Sequence, residues 1–285
     1  MTNTPKLIAF DLDGTLLDSR KGLSERNRRA LTAAGEAGIW LVPATGRIPA
    51  GLPEPLRAMP SLRWGILSNG AEIYDFEAQK IVHREEIPLD TALDVLDYAE
   101  SLGLPYDCYQ DNWGYITAAV KRRASEFIPD PGIRDLLERL RTPVDELRSY
   151  LRAKGEPLQK LQLYFTDPAL RLRLLRELPA RYPTLAVTSS VPFNIEINSA
   201  LSTKGRALER LCEMLGIELA GTIAFGDGSN DISLLRAAGL GVAMENAEPA
   251  VKQAADRITG TNDHSGVAMV LEEFLYEEVK QRADA

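Results

Sequence analysis

Short, unbroken apolar runs alternate with stretches of helical spacing in the first and last thirds of the chain. The first run is KLIAF at 6–10. A continuous apolar run of this length is the pattern of a strand buried on both faces of a parallel sheet. Residues 23–38 follow, with Ala30, Leu31, Ala34 and Ala37 on one helical face, Ser24 as N-cap and Gly38 as stop signal. IWLVPA at 39–44 and WGILS at 64–68 predict two further strands, the second running into Asn69-Gly70, a strong turn dipeptide. This alternation predicts an α/β fold with a Rossmann-like parallel sheet. The same grammar returns later: a helix over 203–216, the strand TIAFGDG at 222–228, a helix over 230–239, a strand at 240–244 and a short helix at 248–255.

Between these parts the pattern changes. Helical stretches at 89–102, 132–153 and 167–181 are interspersed with the polar-aromatic segment YDCYQDNWGYITA (106–118) and the strands KLQLYF (160–165) and LAVTSS (185–190). This predicts an inserted α+β domain over 85–190, flanked by two core segments, 1–84 and 191–285.

Composition narrows the picture. A length of 285 residues favours two domains or one large one, and 45% hydrophobic residues is ordinary for a protein with a sizeable core. The formal net charge of −8 argues against a nucleic-acid or membrane-surface partner. It leaves anionic substrates open, because a bound cation or a local basic group reverses the sign inside a pocket. The two cysteines, Cys108 and Cys212, are far apart and in no metal-ligand spacing, which points to a reduced, cytoplasmic setting. The stretch MTNTPKLIAF lacks a basic region followed by a long apolar one, so no signal peptide is expected. No apolar run approaches the ~18 residues of a transmembrane helix.

Four polar clusters stand just after an apolar strand, or at the start of a helix near one. They are Asp11 with Asp13, Thr45-Gly46-Arg47, Lys204, and Asp227 with Asn230 and Asp231. In open parallel α/β sheets, ligands bind beyond the carboxyl ends of the strands, which gathers segments far apart in sequence. An Asx-turn or a helix N-cap accounts for one Asp at such a position. It does not account for Asp13 as well, nor for Asp227 in the same place after TIAF. Carboxylates clustered at strand ends repel one another unless a cation joins them. Oxygen ligands of this kind suit a hard ion, Mg²⁺ above all. One such carboxylate can also act as a nucleophile and form an aspartyl-phosphate.

These segments resemble the four motifs of the haloacid dehalogenase (HAD) superfamily: DLDGT at 11–15, TGR at 45–47, Lys204 in STKG, and GDGSND at 226–231. Their order and spacing are similar to the Cof-type branch (type IIB), which carries its C2 cap between the second and third motifs. SNGA at 68–71 and HSGVA at 264–268 also resemble recurring Cof-type stretches. The resemblance covers the core segments; the insertion matches in size and placement only.

The resemblance implies roles residue by residue. Asp11 is the expected nucleophile, and Asp13 the general acid/base that also gives its backbone carbonyl to Mg²⁺. Thr45 and the Gly46 N–H are expected to bind phosphoryl oxygens, and Lys204 to neutralise the phosphoryl group and Asp11. Asp227 is the expected downstream metal ligand. Asn230 is expected at the phosphate or a metal-bound water, and Asp231 at the metal or in holding the loop. Plainer readings stand beside these. Thr45 and Asp231 are also good helix caps, and Arg47 reads equally as a substrate ligand or a solvated helix residue. A lysine opening a helix is electrostatically unfavourable, and that oddity favours function for Lys204. His83 and His264 show no ligand spacing, KRR at 121–123 reads as a solvated face, and Trp113 with its neighbouring tyrosines as core packing. In a cap, the last two groups are also candidates to touch a leaving group.

The expected function is therefore a Mg²⁺-dependent phosphatase of small phosphorylated metabolites, sugar phosphates first and phosphorylated cofactors next. Its cap is expected to set specificity. A phosphomutase on the same core and a non-catalytic phosphometabolite-binding module are the rivals. The intact Asp11, Asp13 and Lys204 argue against the latter.

Overall fold

The computed structural model of the chain describes residues 5–283. The first four residues of MTNTPKLIAF and the last two of the segment 191–285 lie outside the described residues. The chain divides into two compact units. One comprises the described residues up to Gly46, Leu52–His83 and the chain from Thr203 onward; the other comprises Arg47–Gly51 and Arg84–Ser202.

The first unit is built on a five-stranded sheet in the order Arg257–Ile258, Leu240–Ala243, Thr222–Gly226, Leu7–Phe10, Trp40–Pro43. Every pairing in it is parallel. Leu7, Ile8, Ala9 and Phe10 are wholly buried in the centre of this sheet. Each large apolar side chain buried there contributes roughly 1.5–3 kcal/mol. That explains why the segment tolerates no polar residue until it ends. The register sets Phe10 level with Phe225 on one side and Pro43 on the other. Asp11, Asp227 and Thr45 therefore emerge at the carboxyl ends of three adjacent strands.

The predicted helix after the first strand runs Glu25–Glu36, and Ser24 Oγ accepts from the Asn27 N–H at 3.1 Å as its N-cap. The strand Trp64–Leu67 packs beside Trp40–Pro43, and an isolated parallel bridge joins Ile66 to Ala44. It belongs instead to a separate three-stranded sheet with Glu72–Asp75 and Lys80–Arg84.

The second unit holds a six-stranded sheet in the order Leu185–Thr188, Asn194–Ser199, Lys160–Tyr164, Tyr106–Gln110, Trp113–Thr117, Arg141–Val144. Its pairings are antiparallel except the last, which is parallel. The segment 106–118 is a β-hairpin, turned by Asp111 and Asn112 at φ 52° and 59°. Two consecutive positive φ values give the turn the twist that antiparallel strands require. The stretch 132–153 is not one helix. It breaks into the helix Pro131–Leu140, the edge strand Arg141–Val144 and the helix Leu147–Lys154. Pro143 is accommodated because an edge strand has one side without ladder partners. The strand Asn194–Ser199 pairs with Lys160–Tyr164 in this sheet, so the core resumes at Thr203 rather than at 191. Alternation along the strands gives the sheet one apolar face, with Cys108, Leu161, Leu163, Ile195 and Ile197 packed in a hydrophobic cluster. Asp107, Lys160, Gln162 and Glu196 occupy the intervening positions and are buried as well. Among the described residues no helix is long and apolar enough to cross a membrane.

Candidate active site

Asp11 follows the central strand directly. Its N–H donates to Phe225 O at 3.0 Å, which carries the sheet ladder one residue past the strand's end. The residue is 6% exposed. Asp227 follows Gly226 at the end of the neighbouring strand, and its Oδ1 accepts from Thr15 Oγ1 at 2.7 Å. Close approach of the two loops depends on Gly14. It adopts φ +90°, and a Cβ there would lie 2.3 Å from Asp227 Oδ2.

Lys204 is the first residue of the helix Lys204–Leu215 and is 0% exposed. Its ammonium donates to Asp11 Oδ1 at 2.7 Å and to Asp231 Oδ1 at 2.6 Å. The helix dipole disfavours a cation at this terminus, and the two carboxylates overcome that penalty. Asp231 Oδ2 meanwhile accepts from the N–H groups of Asp227 and Gly228, both at 3.0 Å. Both oxygens of Asp231 are therefore engaged. Among the described residues, Oδ2 of Asp11 and Oδ2 of Asp227 have no hydrogen-bond partner.

One carboxylate oxygen each from Asp11, Asp227 and Asp231 lie within 4.8 Å of one another. The electrostatics match this crowding. Burial raises the Asp11 pKa well above the ordinary carboxylate value; Lys204 opposes that, and Asp231, Asp227 and Asp13 reinforce it. Burial, followed by Asp231, lifts Asp227 to about 6. Burial alone would lower the Lys204 pKa, but Asp11 and Asp231 outweigh it and hold the ammonium firmly protonated. Two carboxyls that resist ionisation, one buried and one half-buried, each with an uncommitted oxygen, are what a hard divalent cation would relieve. The donor set fits such an ion.

The other sequence-predicted residues divide. The Asp13 carboxylate accepts from Lys21 Nζ at 2.8 Å. Thr45 is buried beyond the strand next to Asp11. Its N–H donates to Ile66 O at 2.9 Å, its carbonyl accepts from Asn69 N at 3.0 Å, and Gly46 follows it. Asn230 Nδ2 donates to Asn69 Oδ1 at 3.1 Å. Arg47 falls in the second unit, where Nη1 donates to Gly51 O at 2.7 Å and ties down a one-turn helix, Pro49–Gly51. His264 Nδ1 bonds Thr261 Oγ1 at 2.7 Å, a local structural contact.

Asn69 is the site residue that sequence reasoning missed. Its neighbours explain why it is held there. Ser68, Asn69 and Gly70 adopt φ 50°, 62° and 97° in succession. At Gly70 a Cβ would lie 2.4 Å from Thr203 O, directly before Lys204. The Asn-Gly dipeptide was legible as a turn. That it packs against the start of the Lys204 helix and reaches Asn230 was not.

The family profile of haloacid dehalogenase-like hydrolases matches residues 8–271. The chain belongs to this family. It is 34% identical to Phosphatase YwpJ of Bacillus subtilis over 298 aligned positions, covering 95% of this chain and all of that one. It is 31% identical to 5-amino-6-(5-phospho-D-ribitylamino)uracil phosphatase YcsE of the same organism, covering 95% and 96% of the two chains. The solved structure of a haloacid dehalogenase-like hydrolase from B. subtilis superposes with a TM-score of 0.79 at 31% identity, over 94% of this chain and 99% of the other. The protein is a HAD-family phosphatase of the Cof type, with an acidic cluster able to hold a metal.

Proposed function

We propose that this HAD phosphatase hydrolyses phosphomonoesters of small metabolites through a phosphorylated Asp11, with Mg²⁺ as its ion. The observation that carries this reading is the Lys204 ammonium. It holds Asp11 Oδ1 and leaves Asp11 Oδ2 uncommitted beyond the end of the central strand. A carboxylate fixed by one oxygen presents the other to an electrophile. Asp11 Oδ2 attacks phosphorus, and Asp13 protonates the departing ester oxygen. Asp13 then deprotonates a water that attacks the phospho-aspartate, regenerating Asp11 and releasing inorganic phosphate.

The donors for the transferring phosphoryl group are Lys204, the Thr45 hydroxyl, the Gly46 N–H and Asn230, which Asn69 orients. Fixed donors of this kind carry most of the barrier reduction in phosphoryl transfer. Asp11, Asp227 and the Asp13 carbonyl would hold Mg²⁺, which when bound neutralises phosphoryl charge and the repulsion between carboxylates. Asp231, both of whose oxygens are engaged, fixes Lys204 and the 227–231 loop. Arg47 carries no role in this reading.

The substrate class is a phosphorylated sugar or polyol first, and a phosphorylated cofactor next. The name of YcsE, which places its phosphate on a ribityl chain, supports the first. The test is the Asp11→Asn variant, assayed for phosphate release across a panel of phosphorylated metabolites. Loss of activity with an unchanged circular dichroism spectrum is expected, as is loss in EDTA with recovery in Mg²⁺. Retention of a tenth of wild-type turnover by Asp11→Asn would remove the covalent mechanism. An isomer instead of inorganic phosphate as product would make the enzyme a mutase.

A further inference from the structure

The loop 18–22, just past DLDGT, holds a non-glycine residue in the left-handed region: Lys21, at φ 64°. Several bonds keep it there. Asp18 N donates to Gly22 O and Lys21 N to Asp18 O, both at 2.9 Å. Asp18 Oδ1 accepts from the N–H groups of Arg20 at 2.9 Å and Gly22 at 2.8 Å. The next residue back, Ser19, is anchored across the unit to Asp263, through its N–H at 2.8 Å and its hydroxyl at 2.6 Å. Bridges from Leu17 to Asp13 and to Leu23 close the base of the loop. The outcome of this bracing is a single contact at the tip, Lys21 Nζ to Asp13 Oδ1 at 2.8 Å.

That contact is a poor stability device. The two side chains are 40% and 37% exposed, and ion pairs at that exposure contribute little. A left-handed lysine carries a conformational cost that only an over-determined loop sustains, and such strain gathers at functional sites. We propose that Lys21 is a positioning residue for Asp13. The proposal rests on the reading of Asp13 as general acid/base. By donating to Oδ1, Lys21 holds the Asp13 carboxyl in one orientation and so fixes the direction in which its exchangeable proton is presented. In the first half-reaction the Asp13 proton passes to the ester oxygen as its bond to phosphorus breaks and the Asp11 oxygen bonds to phosphorus. In the second, Asp13 takes a proton from the water whose oxygen bonds to phosphorus as the Asp11 oxygen departs.

Leaving-group dependence tests this, because only an acid needs to protonate a poor leaving group. The kcat/KM values of wild type, Lys21→Met, Lys21→Arg and Asp13→Asn are compared on phenyl phosphate and p-nitrophenyl phosphate, two esters of nearly the same shape. Lys21→Met is expected to lose tenfold or more on phenyl phosphate and less than threefold on p-nitrophenyl phosphate. Lys21→Arg is expected to restore most of the difference, and Asp13→Asn to show the same bias more strongly. Equal loss on both esters by Lys21→Met would overturn the proposal and place Lys21 at the phosphoryl group or in the loop's scaffold. No loss in Lys21→Met beside a biased loss in Asp13→Asn would overturn it while leaving the acid/base reading intact. An unbiased Asp13→Asn would overturn that reading itself, and the role of Lys21 with it.

Discussion

A lysine at the first position of a helix works against the helix dipole, and a wholly buried one also gives up its hydration. Lys204 is retained on both counts because Asp11 and Asp231 receive it. Removing the ammonium leaves two buried carboxylates facing each other and, on the proposed mechanism, a transferring phosphoryl group without its fixed cation. Lys204→Met is accordingly expected to lower kcat by about 10²-fold or more, the range seen when one preorganised charge-stabilising donor is lost. Steady-state phosphate release checks it, and retention of a third of the wild-type rate would contradict the role. Lys204 could be singled out in the sequence because it breaks a local rule, and Asp11 and Asp227 because each ends an apolar strand. Asn69 breaks no rule where it stands. Its partner Asn230 lies 161 residues away, and nothing short of the fold brings the two amides together.

At the scale of elements, the strands with apolar runs were legible and the polar ones were not. Arg141–Val144 hides inside a charged stretch because its first residue is a buried arginine. Arg141 Nε donates to Asp107 Oδ2 at 2.6 Å, and Nη2 donates to the Tyr109 hydroxyl and, at 3.3 Å, to Gln162 Oε1. Pairing and packing, not local propensity, make that segment a strand. Asn194–Ser199 was missed for the same reason, its Glu196 lying opposite Gln162 in the middle of the sheet. Arg141→Met would strand the Asp107 carboxylate in the interior. It is expected to destabilise the protein by roughly 3–5 kcal/mol, the usual cost of removing one partner from a buried ion pair. Adding Asp107→Leu is expected to recover most of that loss, since an apolar pair replaces a buried ionic one at little net cost. Urea unfolding of the two single variants and the double variant decides it. Strict additivity of the single effects would show that the two residues do not act as a pair.

For the whole molecule, the alternation of helices and strands was enough to foretell a parallel core interrupted by an α+β insertion. The insertion's own architecture rests on long-range strand pairing that no local pattern announces. The residues first considered for substrate contact in the insertion now separate. Arg123 is engaged by Glu126 at 2.8 Å, and Trp113 Nε1 donates to Thr142 Oγ1 at 2.8 Å, both in exposed positions. Tyr109 is buried, with the Lys160 ammonium 4.5 Å from its ring centre. If the insertion sets specificity, Tyr109→Phe and Lys160→Met should reorder the preference among natural phosphate esters more than they change the rate on p-nitrophenyl phosphate. A uniform factor across all substrates would reduce this polar face to a structural support.

The strand order has a consequence for how the protein is made. Leu7–Phe10 lies between Trp40–Pro43, which leaves the ribosome soon after it, and Thr222–Gly226, which leaves late. Every strand of the six-stranded sheet emerges in between. The nascent chain thus carries Asp11, the proposed nucleophile, from the outset but lacks Lys204, Asp227 and Asp231 until the final third of synthesis. An interrupted translation product that stops at Ser202 can bury the first strand on one side only, and it presents Asp11 with neither ammonium nor companion carboxylates. On the proposed mechanism, such a truncated product is expected to release no phosphate from a phosphomonoester, and an assay of the fragment ending at Ser202 checks it.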